Sequence, residues 1–385
     1  MGEEWSEDYG TQGRTKVRFH RGWIAVILLC ACDRKGGPRI ATSVGSESVV
    51  QSYSSIDNVD ASLAISTNNG WIIPSESDGA VFLVDKSDSV VWRTPGKGRG
   101  PGELLSIRAI ALDDSAVSVY DGRQRRIVRF RRTDGRLIGQ TPLPSAIGSA
   151  GQSVVGFLRD GRWLLRGLPA DYRSLTGAVR PSVQIWLSDS TGKGALLGSF
   201  RESELLRGVQ EQGSVELLRP LGKRAGIAIT NAAVFVFDGD SLFRFASRSD
   251  RPARETVGLP PGVSEAPMTD DIRRWGEGQI ESSGVLASRF SALYREFPPP
   301  KASPAWGTGG PSIVPPIVAS PDGSIFLRRF TGGKSEEWWR LVPGGMWHRH
   351  LFPDGQQVVA FSDTTALVLT DHEGSSLLKE ILLKQ

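Results

Sequence analysis

Between Leu105 and Pro144 four short strand patterns follow one another, each with apolar residues at alternate positions. Ile107, Ala109 and Ala111 mark the first, Val117, Val119 and Tyr120 the second, Ile127, Val128 and Phe130 the third, and Leu137 with Ile138 the fourth. The breaks between them, Asp113-Asp114-Ser115, Asp121-Gly122-Arg123 and Thr133-Asp134-Gly135, carry the residue types that reverse an antiparallel chain. Four strands joined by tight turns in about 40 residues is one blade of a β-propeller, a fold that grows by repetition. That matters for a chain of 385 residues, because a single ordinary core of this size usually divides into domains.

The unit recurs. Asn69, Asp114, Asp160, Asn231, Asp322 and Asp363 each precede an apolar triplet, and successive marks lie 45, 46, 71, 91 and 41 residues apart. The triplets Trp71-Ile72-Ile73, Val117-Ser118-Val119, Trp163-Leu164-Leu165, Val234-Phe235-Val236, Ile325-Phe326-Leu327 and Leu367-Val368-Leu369 are expected second strands. Such near-continuous apolar runs suit strands covered on both faces. The expectation is therefore an all-β, six-bladed β-propeller over 48–385. The two long intervals carry insertions: a loop at Leu168 to Pro181, a polar connection at Arg201 to Arg224 expected to be partly helical, and a helical insertion at about 265–300. Within the last, Ile272, Trp275, Leu286, Phe290, Leu293, Tyr294 and Phe297 fall largely at helical spacing, and Pro298-Pro299-Pro300 stops the pattern. The final blade runs out of chain after Leu377 to Leu382, and the isolated apolar strand at Val49 to Tyr53 is the expected closing strand.

Ahead of the repeats, Arg14, Lys16, Arg18 and Arg21 flank a short apolar run, Trp23 to Leu29, that is too short to span a bilayer and has the order of an export signal. Leu29-Cys30-Ala31-Cys32 resembles the bacterial lipobox, with Cys30 a departure at its second position. A signal peptide is expected over 1–32, the resemblance implies lipid on Cys32, and the Gly/Ser-rich composition of 33–47 is expected to make a flexible tether. The acidic segment Met1 to Gly13 is unusual ahead of a signal, and Val17 is the expected initiator. Cys30 and Cys32 are the two cysteines of the chain, so no disulfide is expected in the folded part. The charge balance of 46 Lys and Arg against 42 Asp and Glu offers no general attraction for nucleic acid.

The run Gly96-Lys97-Gly98-Arg99-Gly100-Pro101-Gly102-Glu103-Leu104 resembles the G-x-G-x-GPGE-[FL] signature of bacterial six-bladed propeller lipoproteins related in fold to the NHL and TolB-like propellers. Arg219-Pro220-Leu221-Gly222 resembles a second recurring piece of that family. The resemblance implies an envelope address, lipid-anchored and periplasm-facing, and carries over no catalytic residue. The glycine run lacks the ending of a nucleotide-binding loop and is expected to be structural, with Gly96, Gly98 and Gly100 permitting unusual dihedrals.

The expected role is a non-enzymatic module, monomeric and without a cofactor, binding an envelope protein or a small-molecule ligand through Lys97, Arg99, Glu103, Arg219 and Phe290. The helical insertion would be a lid packed on the rim of the ring. The alternative is a lactonase- or lyase-type propeller enzyme using Ca or Zn. His348 and His350, on one face of a strand, could hold a metal, and Arg123, Arg125, Arg126, Arg129, Arg131, Arg132 and Arg136 are read as a solvated basic edge or a site for anionic lipid or an acidic partner. No Gly-x-Ser-x-Gly elbow or Ser-His-Asp arrangement is visible.

Overall fold

A computed structural model of the chain describes residues 42–44, 49–53, 63–144 and 152–383, apart from breaks at 168–173, 190, 211–212, 248–251, 261–265, 268, 282–286, 299–301, 304–314, 331–335, 354 and 373–374. The export signal, Cys32 and Val17 lie outside these residues.

Strands of alternating apolar residues pair with their sequence neighbours throughout. Ile65–Thr67, Gly70–Ser75, Ala80–Asp85 and Val90–Arg93 form the first sheet. The second is Ile107–Leu112, Ala116–Asp121, Arg126–Arg131 and Leu137–Pro142, and the third Gln152–Phe157, Trp163–Gly167, Ser182–Ser188 and Gly194–Arg201. Gly226–Ile229, Ala233–Phe237, Leu242–Ala246 and Arg254–Val257 make the fourth, and Ile317–Ala319, Ile325–Phe330, Glu336–Leu341 and Trp347–Phe352 the core of the fifth. The sixth holds Gln356–Phe361, Thr365–His372 and Ser375–Leu382, and its outer position is taken by Val49–Tyr53, antiparallel to Ser375–Leu382 with Val49 opposite Ile381 and Tyr53 opposite Leu378. All these strands belong to one unit, Ile40–Gln385.

Period-two alternation makes these sheets a ring. Along Gly70–Ser75, Ile72 packs with Val117, Val119 and Phe130 of the second sheet, while Trp71 and Ile73 pack with Phe361 and Leu367 of the sixth. Ala109 and Tyr120 of the second sheet meet Trp163 and Leu165 of the third, Ile185 of the third meets Val236 of the fourth, and Phe235 of the fourth meets Leu327 of the fifth. Phe326 of the fifth stacks on Phe361 of the sixth, ring centroids 3.6 Å apart. Each sheet is thus buried on both faces, which is why the second strands carry runs of consecutive apolar residues such as Trp71-Ile72-Ile73 and Val234-Phe235-Val236. The fold is a β-propeller, with the first strand of each sheet innermost.

The turn marks fall between first and second strands in all six sheets. The bonding side chain is often one or two residues earlier than the mark. Asp113 Oδ1 accepts from Ser115 N and Ala116 N, Thr230 Oγ1 from Ala232 N and Ala233 N, and Ser362 Oγ from Thr364 N and Thr365 N. Only Asp160 and Asp322 among the marks close their own turns, onto Arg162 N and Ser324 N.

Two expectations about the connections change. The segment Arg201 to Arg224 contains no helix among its described residues: Leu205–Gln210 and Gly213–Leu218 form a hairpin, joined by Gly177–Val179 into an extra three-stranded sheet. Gly208 and Gly213 disfavour a helix, and alternation lets Leu206 and Leu217 point to one side. The tether over 33–47 is also not wholly unstructured, because Thr42–Val44 adds in parallel to the outer strand Trp347–Phe352. A ladder uses backbone groups only, so a segment with little to bury can still cover an exposed edge.

Candidate functional site

In an antiparallel meander the connections from strand two to three and from one sheet to the next leave at one mouth, and the other turns leave at the opposite one. The opposite mouth carries short turns. The first mouth collects the glycine run, the extra hairpin and the helices, bound together by side chains from several sheets. Arg180 Nη1 donates to Asp240 Oδ2 at 2.5 Å, Lys223 also binds Asp240, and Arg166 Nη1 donates to Glu202 Oε2 at 2.8 Å.

The glycine run is a clasp built around Glu103. Gly100 N donates to Glu103 Oε2 at 2.6 Å, and a Cβ on Gly98 would stand 1.9 Å from the same oxygen. Gly98 and Gly100 therefore leave the room in which the Glu103 carboxylate lies, and Gly102, at φ 77°, is the member that needs a left-handed backbone. This corrects the dihedral role expected of Gly96, Gly98 and Gly100. The loop carbonyls dock onto the second sheet, where Arg126 Nη2 donates to Glu103 O at 2.6 Å and Gln124 Nε2 to Gly98 O at 3.0 Å. Glu103 is committed to its own loop, while Lys97 and Arg99 are exposed. The basic cluster divides accordingly. Arg126 is buried under the clasp, whereas Arg129 pairs with Asp113, and Arg131 and Arg136 with Asp134.

The insertion from about 265 to 300 contains α1, Asp270–Glu281, and α2, Ala287–Glu296. Thr269 starts α1, its Oγ1 accepting from Ile272 N, with Asp270 and Asp271 in the first turn. The apolar stripe does not pack on the rim of the ring as expected. Ile280, Phe290 and Tyr294 pack on Leu206 and Leu217 of the extra hairpin, so the two insertions bury each other. Arg219 latches them, bonding Pro298 O beyond α2 and lying 3.5 Å from Glu204. Phe290, expected at a binding surface, is 1% exposed and is the anchor of this module. Phe290→Ala is expected to cost the module about 3–5 kcal/mol. Hydrogen exchange would read this as lost protection at Leu205–Gln210 with the six sheets unchanged; equal loss everywhere, or none, would refute the packing.

The fifth sheet holds charges that the sequence reading passed over. Arg328-Arg329 lies just before the last residue, Phe330, of its second strand and Glu336-Glu337 begins its third, and register sets Arg329 directly opposite Glu337. Glu337, 1% exposed, accepts from Trp339 Nε1 at 2.6 Å, Arg349 Nη2 at 2.6 Å and Arg329 Nη1 at 3.1 Å. Burial opposes its charge, but these donors outweigh it and hold the carboxyl below the usual range. Two charged doublets at the ends of strands covered on both faces were the readable signal.

His348 and His350 do alternate to one side of Trp347–Phe352, but among the described residues no group of three or more His, Cys, Asp or Glu is placed to hold a metal ion. His350 is buried, 6.0 Å from the Phe326 ring centroid. Burial first, then the positive charges of Arg340 and His348, pull its pKa down to about 4. Because the folded value lies below the unfolded one near 6.5, His350 supports the fold fully above that pH and the support is lost as pH falls toward 4. Urea unfolding at pH 7.5 and 4.5 is expected to show His350→Phe losing roughly 2–3 kcal/mol less than the parent on acidification. Identical losses in the two proteins would refute this.

No protein-family model matches the sequence, and no curated protein matches it. Three of the solved structures with similar folds are a Bacteroides fragilis protein named as an exported one, at 13% identity over 88% of this chain and 95% of that one with a TM-score of 0.47, streptogramin B lyase, at 11% over 87% and 94% with 0.38, and BamB of Moraxella catarrhalis, at 12% over 89% and 99% with 0.33.

Proposed function

We propose that the chain is a six-bladed, lipid-anchored propeller of the bacterial cell envelope, facing the periplasm, that binds an envelope protein or a small ligand at the mouth bearing the long connections. The carrying observation is the asymmetry of the ring: one mouth has minimal turns, and the other supports a clasp, a hairpin and two helices that pack on one another. A ring closed by short turns alone would suffice for stability, and elaboration on one side of a rigid scaffold is where binding surfaces are built. Arg219 and Phe290 serve this surface by holding the module in shape, and Lys97 and Arg99 stand exposed on the clasp.

The address rests on the basic flank, the short apolar run and Leu29-Cys30-Ala31-Cys32. Cys32→Ser is expected to leave an unprocessed precursor or to move the protein into the soluble fraction. Unchanged membrane fractionation with unchanged size would overturn the anchor.

A further inference from the structure

The exposed large apolar side chains are not scattered over the ring. Val90 and Val91 open the outer strand of the first sheet, opposite the end of Ala80–Asp85, and Leu137 and Ile138 open that of the second, opposite the end of Arg126–Arg131. Leu196 is the third residue of the outer strand of the third sheet, Met346 directly precedes that of the fifth, and Leu382 ends the third strand of the sixth beside Thr365. All of these positions lie at the mouth of the short turns. Among the described residues, Leu218 of the extra hairpin is the one other large apolar side chain so exposed. In the fourth sheet the outer strand instead opens on Arg254, whose guanidinium lies over the Phe243 ring. The first two sheets join their apolar pairs: Trp92 Nε1 donates to Arg132 O at 2.9 Å, and a Cβ on Gly135 would stand 2.7 Å from the Trp92 ring, so the two outer strands start side by side. In the fifth, Val342 N donates to Met346 O across Pro343-Gly344-Gly345, which leaves Met346 65% exposed at the hairpin end. Single exposed apolar residues are ordinary, but a band of them confined to one rim marks a contact surface.

What covers this rim follows from the chain ahead of the ring. Thr42–Val44 runs parallel to Trp347–Phe352 with Thr42 opposite Arg349, and that outer strand begins at the short-turn mouth. The chain arriving from Cys32 therefore meets the ring at this mouth, beside Met346. Thr42 follows Cys32 by ten residues, a reach of at most about 36 Å. A lipid on Cys32 thus brings the short-turn mouth, rather than the elaborated one, to the bilayer. The charges on the same rim suit headgroups. Asp85 Oδ1 accepts from Ser87 N and Ser89 N, and Asp189 Oδ1 from Thr191 N and Lys193 N, so both carboxylates are turned into their own hairpins, while Lys86, Arg136 and Lys193 are exposed. Long cationic side chains beside apolar ones are the composition of a surface that lies in the interface of a membrane.

We propose that the rim of the short-turn mouth rests on the phospholipid surface that holds the Cys32 anchor, with Val91, Ile138, Leu196 and Met346 in the interfacial layer. The proposal rests on the reading of Cys32 as lipidated and gives the ring an orientation: the elaborated mouth faces away from the bilayer and stays open to partners. The acylated full chain, reconstituted in phosphatidylethanolamine and phosphatidylglycerol vesicles with brominated acyl chains, tests it. Processing removes Cys30 and acylation blocks Cys32, so a fluorophore coupled to Ile138→Cys, Met346→Cys or Leu218→Cys labels the new thiol alone. Flotation of the vesicles reads the anchor, and quenching reads the seat. Emission from Ile138→Cys and Met346→Cys is expected to fall by about half or more against unbrominated vesicles, with Leu218→Cys unchanged. Flotation with either rim probe unquenched, or with Leu218→Cys quenched equally, overturns the seat and leaves the anchor standing. Rim probes shielded from aqueous iodide but not quenched by the brominated chains assign the rim to a second copy of the chain, which also overturns it. A chain that does not float removes the anchor and the seat with it.

Discussion

Deleting Val49–Tyr53 is expected to destabilise the whole ring. The strand supplies the outer position of the sixth sheet, with its register set by Val49 opposite Ile381, Gln51 opposite Glu380, Ser52 opposite Lys379 and Tyr53 opposite Leu378. Losing about four backbone hydrogen bonds at roughly 0.5–1.5 kcal/mol each removes about 2–6 kcal/mol. A folded domain holds only about 5–15 kcal/mol in all. The effect should spread, because one cluster joins Leu378 and Ile381 of the sixth sheet to Trp71 and Phe82 of the first and to Phe326 and Trp338 of the fifth. The uncovered edge of Ser375–Leu382 would also offer unpaired groups for intermolecular strand addition. A urea midpoint well below the parent's, with light scattering at equal concentration, is the expected result. A midpoint equal to the parent's would show that closure does not depend on this strand.

Glu337→Ala is the point substitution expected to cost the six sheets themselves most. It removes the acceptor shared by Arg329, Arg349 and Trp339, and breaking one side of a buried ion pair costs about 3–5 kcal/mol. Glu336→Gln, one residue away, should cost about 1 kcal/mol or less, since burial already disfavours that charge and an amide oxygen can still accept from Trp338 and Val358. The pH dependences have opposite sign. Glu337, held low in the fold, stabilises above the ordinary carboxyl pKa and loses that contribution as pH falls through its folded value. Glu336, pushed up, favours the fold below the ordinary value and ceases to as pH rises through its raised one. Chemical unfolding of both variants checks the contrast, and equal costs would contradict it.

The ring was legible in the sequence because a sheet buried on both faces leaves an unmistakable record. Triplets such as Val234-Phe235-Val236 are apolar at every position, and Phe235 serves the fifth sheet while Val234 and Val236 serve the third. The extra hairpin was not, since Leu205, Leu206 and Val209 also fit a helical stripe, and only the partner hidden beneath α2 resolves which period applies. Phe290 was visible as part of an apolar helix face, but whether that face meets solvent, rim or hairpin is decided by a segment some eighty residues earlier. The glycine run announced an unusual backbone, and its reason turned out to be the room taken by the Glu103 carboxylate. The Arg328-Arg329 and Glu336-Glu337 doublets would have been a sufficient warning that charge is buried in the fifth sheet.

The claim that one mouth of the ring is the binding face is tested most directly by photocrosslinking in intact cells. A photoreactive residue in place of exposed Lys97 or Glu277 probes the elaborated mouth, and one in place of exposed Asp114 or Asp363 probes the opposite mouth. Covalent adducts from the first two positions and none from the second two are expected. Adducts from Asp114 and Asp363 alone, or equally from all four, would contradict the assignment.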